Sequence, residues 1–354
     1  MFSRIPHAPK TGRPWSVLAT MIPVSTYVAA ALTLLTVALT RTYLNSGKDR
    51  LPAHEERVMV LGASTPDGVG AAIARHYVER GCSDLVLVGR RERALGMVKD
   101  MLVQGARNHD ERRRAEAIVL VVADCTNEAD IARLRDHLVV NIGGIDTVHV
   151  VFGAISKRTL LETAGVDPLR GADPADTSAS LAGLRELGET AMELCAANIK
   201  GTALALAALL PIMQTNSKLP HVCVIGSLAS LVPAPTRALY CATKAAQQML
   251  VLAVATECDA QAKVPGRTRV THTVLAPSSI STSFADVRAG LSEPSRPHRP
   301  NALSAATVAA RAVRCGSRRT TGVVPVPGFY FIGWLLTLLC PSVTESRARA
   351  RYGY

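Results

Sequence analysis

From residue 57 to residue 326, short apolar runs alternate with longer stretches of helical character, and few folds accommodate that alternation. The runs are residues 57–61, 84–88, 117–122, 146–152, 221–225, 269–275 and 322–326. The helical stretches are 71–80, 90–106, 128–139, 188–213, 238–257 and 302–314. Unbroken apolar runs of this length suit strands buried on both faces. Strand and helix in strict alternation predict one parallel sheet with helices on both sides, an α/β domain over 56–326. Residues 154–187, rich in Gly, Asp, Pro and Ser, read as a loop, and the Pro- and Ser-rich 276–300 as a flap. There is no internal repeat.

The turn after the first run holds Gly62, Ser64, Gly68 and Gly70. Small residues there let the backbone approach a dinucleotide's pyrophosphate, and the following helix offers unpaired N–H groups and a positive dipole end. A mere tight connection is the competing reading. The second run ends on Gly89, Arg90 and Arg91, where an acid would hold the ribose hydroxyls of NAD(H). A guanidinium suits a 2′-phosphate instead, so the pattern favours NADP(H), unless the arginines are simply surface residues. Asp124, after the third run, either faces an adenine or caps the next helix.

Tyr240 and Lys244 lie one turn apart on one face if 238–257 is helical. An ammonium beside a phenol favours the phenolate, so Lys244 is expected to lower the phenol's pKa and let it exchange a proton with a substrate oxygen. Ser227, at the end of the preceding strand, could hold that oxygen. Tyrosine and lysine also meet at this spacing on ordinary solvated faces; the upstream glycine turn tells against that here.

With the glycine turn, Asn198, Ser227, Tyr240 and Lys244 in this order, residues 56–326 resemble the short-chain dehydrogenase/reductase family, and within it membrane-anchored, hydroxysteroid dehydrogenase-like reductases. The resemblance implies a Rossmann-type doubly wound sheet. It implies Tyr240 as general acid and base, Lys244 as its modulator and a ligand of the nicotinamide ribose, Ser227 on the substrate carbonyl, and Asn198 holding a relay water. Pro277–Thr282 is similar to the family's segment after the sixth strand, which implies Ile280 and Thr282 against the nicotinamide amide. Three departures stand out: a glycine turn two residues longer than usual, with Pro66 and Asp67 inside it; Phe152-Gly153-Ala154 where the family has Asn-Ala-Gly; and Ser278 in place of a glycine. The missing asparagine would brace the central sheet, so another group must do so.

Residues 1–15 form a polar segment, and 16–40 contain no charge. As a helix those 25 residues would reach about 37 Å, enough to span a bilayer, which predicts a transmembrane anchor followed by a linker at 41–55. A cleaved signal peptide would have a shorter apolar core. Flanking basic residues are balanced, but the chain lacks an Asn-x-Ser/Thr sequon and its eight cysteines include no Cys-x-x-Cys. These features point to a cytosolic catalytic domain, with the endoplasmic reticulum the expected membrane, and give no support to a metal site. Residues 327–354 comprise an apolar stretch, too short to span, and a basic tail; the stretch lies at the interface or packs on the core or on a second subunit of a homodimer. The net charge of +12 comes without interleaved aromatics and suits anionic lipid better than nucleic acid. The expected function is NADPH-dependent interconversion of carbonyl and alcohol on a lipophilic small molecule, a steroid, long-chain ketone or sphingoid precursor. A non-catalytic, membrane-tethered nucleotide- or lipid-binding scaffold of the same fold is the alternative.

Overall fold

A computed structural model describes residues 50–175, 177–282 and 302–352, together with Ala30 and Thr33. The chain divides into two units, residues 1–45 and 46–354. The expected anchor at 16–40 lies outside the described residues except for Ala30 and Thr33, which are helical. Of the expected flap, residues 283–300 also lie outside them.

The strands are β1 (Arg57–Leu61), β2 (Asp84–Gly89), β3 (Val119–Val122), β4 (Thr147–Val150), β5 (His221–Ile225), β6 (Thr271–Pro277), β7 (Ile280–Ser281), β8 (Leu303–Ser304) and β9 (Gly322–Val326). Seven form one sheet in the order β3-β2-β1-β4-β5-β6-β9, each neighbouring pair parallel; β7 and β8 make a separate two-stranded ribbon. The helices are α1 (Val69–Arg80), α2 (Glu92–Gln104), α3 (His109–Glu116), α4 (Glu128–His137), α5 (Leu160–Thr163), α6 (Leu181–Asn216), α7 (Ala238–Gln261), α8 (Ala305–Ser317), α9 (Tyr330–Leu339) and α10 (Pro341–Tyr352).

Side chains on β1 alternate between two cores. Val58 and Val60 join α1, α2 and α8, whereas Met59 and Leu61 join α4, α6 and α7. Truncating a fully buried side chain such as Leu87 to alanine would cost about 2–5 kcal/mol. At the amino ends of the strands lies a buried polar network. Thr147 donates to Glu56 at 2.6 Å, Arg80 and Arg319 pair with the same carboxylate at 3.0 and 3.4 Å, and Tyr77 meets His149 Nε2 at 2.9 Å.

The structure revises several boundaries. The helix expected over 90–106 ends at Gln104, and a second, α3, follows it. Asn108 caps α3 by accepting from Glu111 N–H at 2.8 Å. Segment 154–187 is not all loop. Thr159 and Glu162 form a reciprocal cap that starts α5, and Ser180 caps α6 seven residues before the predicted start at 188. Local side-chain bonds, invisible to a reading of apolar periodicity, start these helices. The basic tail is also helical, as α10. Among the described residues, α6 and α7 are long and apolar enough to cross a bilayer. Both pack on the sheet, through residues such as Leu206, Met213 and Val251.

Candidate active site

β1 and β4 are neighbours, yet the chain proceeds from them toward opposite edges of the sheet. A crevice opens beyond the carboxyl ends of strands at such a reversal. Here it is a cleft of about 1380 Å³, and the predicted residues Gly62, Ser64, Gly68, Gly70, Arg90, Arg91, Asp124, Ser227, Tyr240, Lys244, Ile280 and Thr282 all line it. Asn198 lies behind that wall, fully buried.

On the β1 side the backbone is shaped for close approach. Gly62 has φ +96°, and a Cβ there would meet Phe152 N at 2.5 Å. A Cβ at Gly70 would fall 2.6 Å from Gly62 O, so α1 packs tightly against the turn. Gly68 caps α1 without a side chain, leaving the helix's first N–H groups facing the cleft. Arg91 reaches over the turn, donating to Ser64 O at 2.9 Å and lying 3.3 Å from Thr65 Oγ1. Arg90 pairs with Asp124 at 3.6 Å. Burial pushes the Asp124 carboxyl up, but bonds from Thr126 and the nearby Arg90 carry it below its ordinary value. Asp124 does not cap α4; Asn127 does, accepting from Asp130 N–H at 3.0 Å.

On the β5 side, α7 carries Tyr240 and Lys244 into the cleft on one face. Ser227 sits at the end of the β5 segment. Ser230 Oγ lies 2.7 Å from the Ser227 carbonyl and 2.8 Å from Gln248 Oε1 of α7, two acceptors that share its one proton. Those contacts fasten the Ser227 loop to α7, and the Ser227 hydroxyl, which accepts from Ala229 N–H at 3.2 Å, lies near enough to the Tyr240 phenol to favour its charged form.

The net shift at Tyr240 runs opposite to the lowering expected from Lys244: burial disfavours the phenolate and holds the phenol above its ordinary value, against the nearby Ser227 hydroxyl and the charge of Arg237. Burial brings Lys244 itself down to about 8. Its ammonium donates to Ile225 O at 3.3 Å and to Gln247 Oε1 at 2.8 Å.

Behind these groups runs a buried hydrogen-bonded chain that joins α7 to α6. Gln247 Nε2 donates to Thr202 Oγ1 at 2.8 Å, and Thr202 donates to Asn198 O at 2.9 Å. The Asn198 side chain accepts from Ala154 N–H at 2.9 Å and donates to Ala154 O at 3.0 Å and to Thr243 Oγ1 at 2.9 Å. Asn198 therefore braces the segment after β4, where the asparagine expected from the resemblance is missing. A π turn over Ala196–Lys200 sets its position within α6. Gly153 completes the approach: a Cβ there would stand 2.7 Å from Asn198 Oδ1 and 3.4 Å from Lys244 Nζ.

Sequence reasoning did not single out Gln247, Thr202, Thr243 or Arg237, and it did not place the C-terminal segment against the cleft. Gln247 and Thr202 were detectable as polar residues one helical turn from Lys244 and Asn198. The C-terminal helices wall the open side of the cleft with Tyr330, Gly333 and Leu336 of α9 and with Val343, Arg347 and Tyr352 of α10.

Residues 56–289 match the family model described as short chain dehydrogenase. The chain is 27% identical over 306 residues to 11-beta-hydroxysteroid dehydrogenase A of Arachis hypogaea, covering 83% of this chain and 75% of that protein. In structure it resembles a short chain dehydrogenase/reductase from Burkholderia phymatum in complex with NAD, at 20% identity and a TM-score of 0.62, over 83% of this chain and 96% of the other. It also resembles an alcohol dehydrogenase from Thermococcus sibiricus complexed with 5-hydroxy-NADP, at 21% identity and a TM-score of 0.55, over 77% and 96% of the two chains. The family match, together with the parallel sheet and the crevice at its point of reversal, shows that this chain belongs to the short chain dehydrogenase family of oxidoreductases.

Proposed function

We propose that the protein is an NADPH-dependent carbonyl reductase acting on a lipophilic substrate at a membrane surface, with Tyr240 as the proton donor. The observation that carries this reading is the Tyr240 phenol, buried, and lining the cleft together with Ser227 and Lys244. A group that must deliver a proton to a developing alkoxide has to be protonated, as a phenol is at neutral pH. Ser227 hydrogen-bonds the same carbonyl oxygen and fixes it within reach of the phenol. Lys244 and Asn198 stabilise the phenolate left behind and lead a proton back to it through the relay. In the oxidative direction Tyr240 takes the proton from the alcohol.

The cleft fits a dinucleotide because small backbone positions and free helix N–H groups stand where its phosphates would lie. Gly62, Ser64, Gly68 and Gly70 would hold the pyrophosphate, Asp124 the adenine, Lys244 and Tyr240 the nicotinamide ribose, and Ile280 and Thr282 the amide. When bound, the reduced nicotinamide supplies the hydride that the carbonyl carbon receives. Arg90 and Arg91 favour NADPH over NADH, since guanidinium groups at the end of β2 suit a 2′-phosphate.

The apolar part of the wall, with Ile155, Leu228, Val232, Leu336 and Val343, supports a lipophilic substrate. So does similarity to a protein named as a hydroxysteroid dehydrogenase. The charge-free 16–40 segment supports a membrane anchor, with the endoplasmic reticulum and a cytosolic site as the expected setting. Exposed Phe329, Ile332, Leu338 and Leu339 on α9 support contact with lipid or with a second subunit. The test is NADPH oxidation at 340 nm by purified full-length protein given long-chain aldehydes and ketones. Carbonyl-dependent oxidation that yields the alcohol, faster with NADPH than with NADH, is expected; none with any carbonyl would overturn the reading.

A further inference from the structure

Helix α10 carries three arginines and one glutamate near its middle, and their placement on the helix is not even. Val343, Thr344, Arg347, Ala348, Arg351 and Tyr352, at successive helical turns, face the cleft, whereas Glu345 and Arg349 do not line it. Two guanidinium groups thus face the substrate end and the helix's acid faces away. A third, Arg237, reaches the same wall from the N-terminus of α7, one turn before Tyr240.

Among the described residues no carboxylate lies within ion-pair distance of Arg237, Arg347 or Arg351. Aromatic groups hold two of them. Arg237 stands over the Tyr352 ring at 5.4 Å, and Arg351 donates to the Tyr330 hydroxyl at 3.2 Å. Arg237 Nε is buried with no hydrogen-bond partner, a cost normally offset by an acceptor. Glu193 is the one acid on this half of the described wall, and it makes no ion pair with them. Leu228, Val232, Leu336 and Val343 supply apolar surface beside them. Three cations at one end of the cleft, two of them held in place by aromatic groups, match an amphiphile with an acidic head and a hydrocarbon body.

We infer that the substrate of this cleft carries an anionic group, a carboxylate or a sulfate, bound by Arg347, Arg351 and Arg237 while the hydrocarbon body places the carbonyl against Tyr240 and Ser227. The inference rests on the oxidoreductase reading for the carbonyl and adds the acidic end, which has no part in the hydride or proton step. Planar guanidinium groups favour oxyanions that accept two parallel bonds.

The test measures binding and so does not depend on turnover. Full-length protein with saturating NADPH is titrated calorimetrically with dodecanoate and with methyl dodecanoate, which share a hydrocarbon body and differ in charge. Wild type is expected to bind the carboxylate about tenfold or more tightly than the ester. Arg347→Gln/Arg351→Gln should abolish that preference, Arg347→Lys/Arg351→Lys should retain part of it, and Arg349→Gln, off the cleft face, should retain all of it. Thermal midpoints measured alongside confirm that each variant is folded. Equal affinity for acid and ester in wild type would overturn the inference, as would a preference that survives in the glutamine double variant. If that variant instead loses binding to phosphatidylserine vesicles while keeping its preference for dodecanoate, the arginines serve the membrane surface and the inference fails. A protein that binds dodecanoate in this manner but never oxidises NADPH would overturn the reductase reading and leave the acid site standing.

Discussion

Lys244 donates to the side-chain oxygen of Gln247, one turn further along the same helix, at 2.8 Å. Both are buried, and Gln247 is itself held by Thr202 of α6. Burial is the cause that brings Lys244 down to about 8, and no charged neighbour offsets it; the facing groups from β4 and α6 are Gly153 and the neutral Asn198 and Thr202. The ammonium therefore depends on neutral acceptors, Gln247 foremost. On its own helix the nearby titratable group is Tyr240, which burial holds above its ordinary value.

Gln247 is accordingly expected to act as a positioning residue. Because kcat/KM reports groups of the free enzyme, reduction should decline as pH rises through about 8, where Lys244 loses its charge. Gln247→Leu removes an acceptor of the ammonium, so this limb should move to lower pH, with kcat/KM at neutral pH down about 10- to 100-fold. Gln247→Glu supplies a negative charge and should move the limb to higher pH. A purely structural role would leave the limb where it is in both variants, and pH profiles of the three proteins separate the two cases.

Cofactor choice is expected to rest on Arg91, which already reaches over the glycine-rich turn to Ser64 and Thr65. Arg91→Ala should weaken NADPH binding by about 10- to 100-fold, the worth of a charge-assisted bond to phosphate, with much less effect on NADH. Fluorescence titrations with both dinucleotides measure this. An equal loss for the two would mean that Arg91 supports the turn and does not select the phosphate.

Much of this site was legible because its chemistry sits on regular elements. β5 and β9 have the predicted bounds, and the Tyr240–Lys244 spacing did place both side chains in one cleft. The sign of the effect on the phenol was not legible. A sequence shows the lysine one turn away but does not show how deeply both groups are buried, and burial dominates here. Nor could it show Asn198 bonding Ala154, a contact between residues 44 apart in the chain. The helix α3, His109-Asp-Glu-Arg-Arg-Arg-Ala-Glu116, escaped because it has almost no apolar face, and its capping residue Asn108 was the available signal. The role of α10 in walling the cleft is a tertiary fact with no local signature.

Stability should fall on acidification from neutral pH, through histidines far from the cleft. Burial, with Arg319 nearby, holds His149 at about 3, and burial holds His272 at about 4, against 6.5 when exposed. Between those values and 6.5 the unfolded chain binds more protons than the folded one. Folding is therefore favoured fully above about 6.5 and progressively less below it, with a slope of about 1.4 kcal/mol per pH unit for each such group. Urea denaturation at several pH values should show this slope, and His149→Phe should reduce it. An unchanged slope in the variant would remove His149 from the titration.

The most direct test of the central claim is kcat/KM for reduction of a long-chain aldehyde by wild type and Tyr240→Phe, measured at saturating NADPH. If the Tyr240 phenol delivers the proton, the phenylalanine variant should fall by about 10²- to 10⁴-fold while remaining folded. Turnover equal to that of wild type would contradict the account, because nothing at the phenylalanine position could then have supplied the proton.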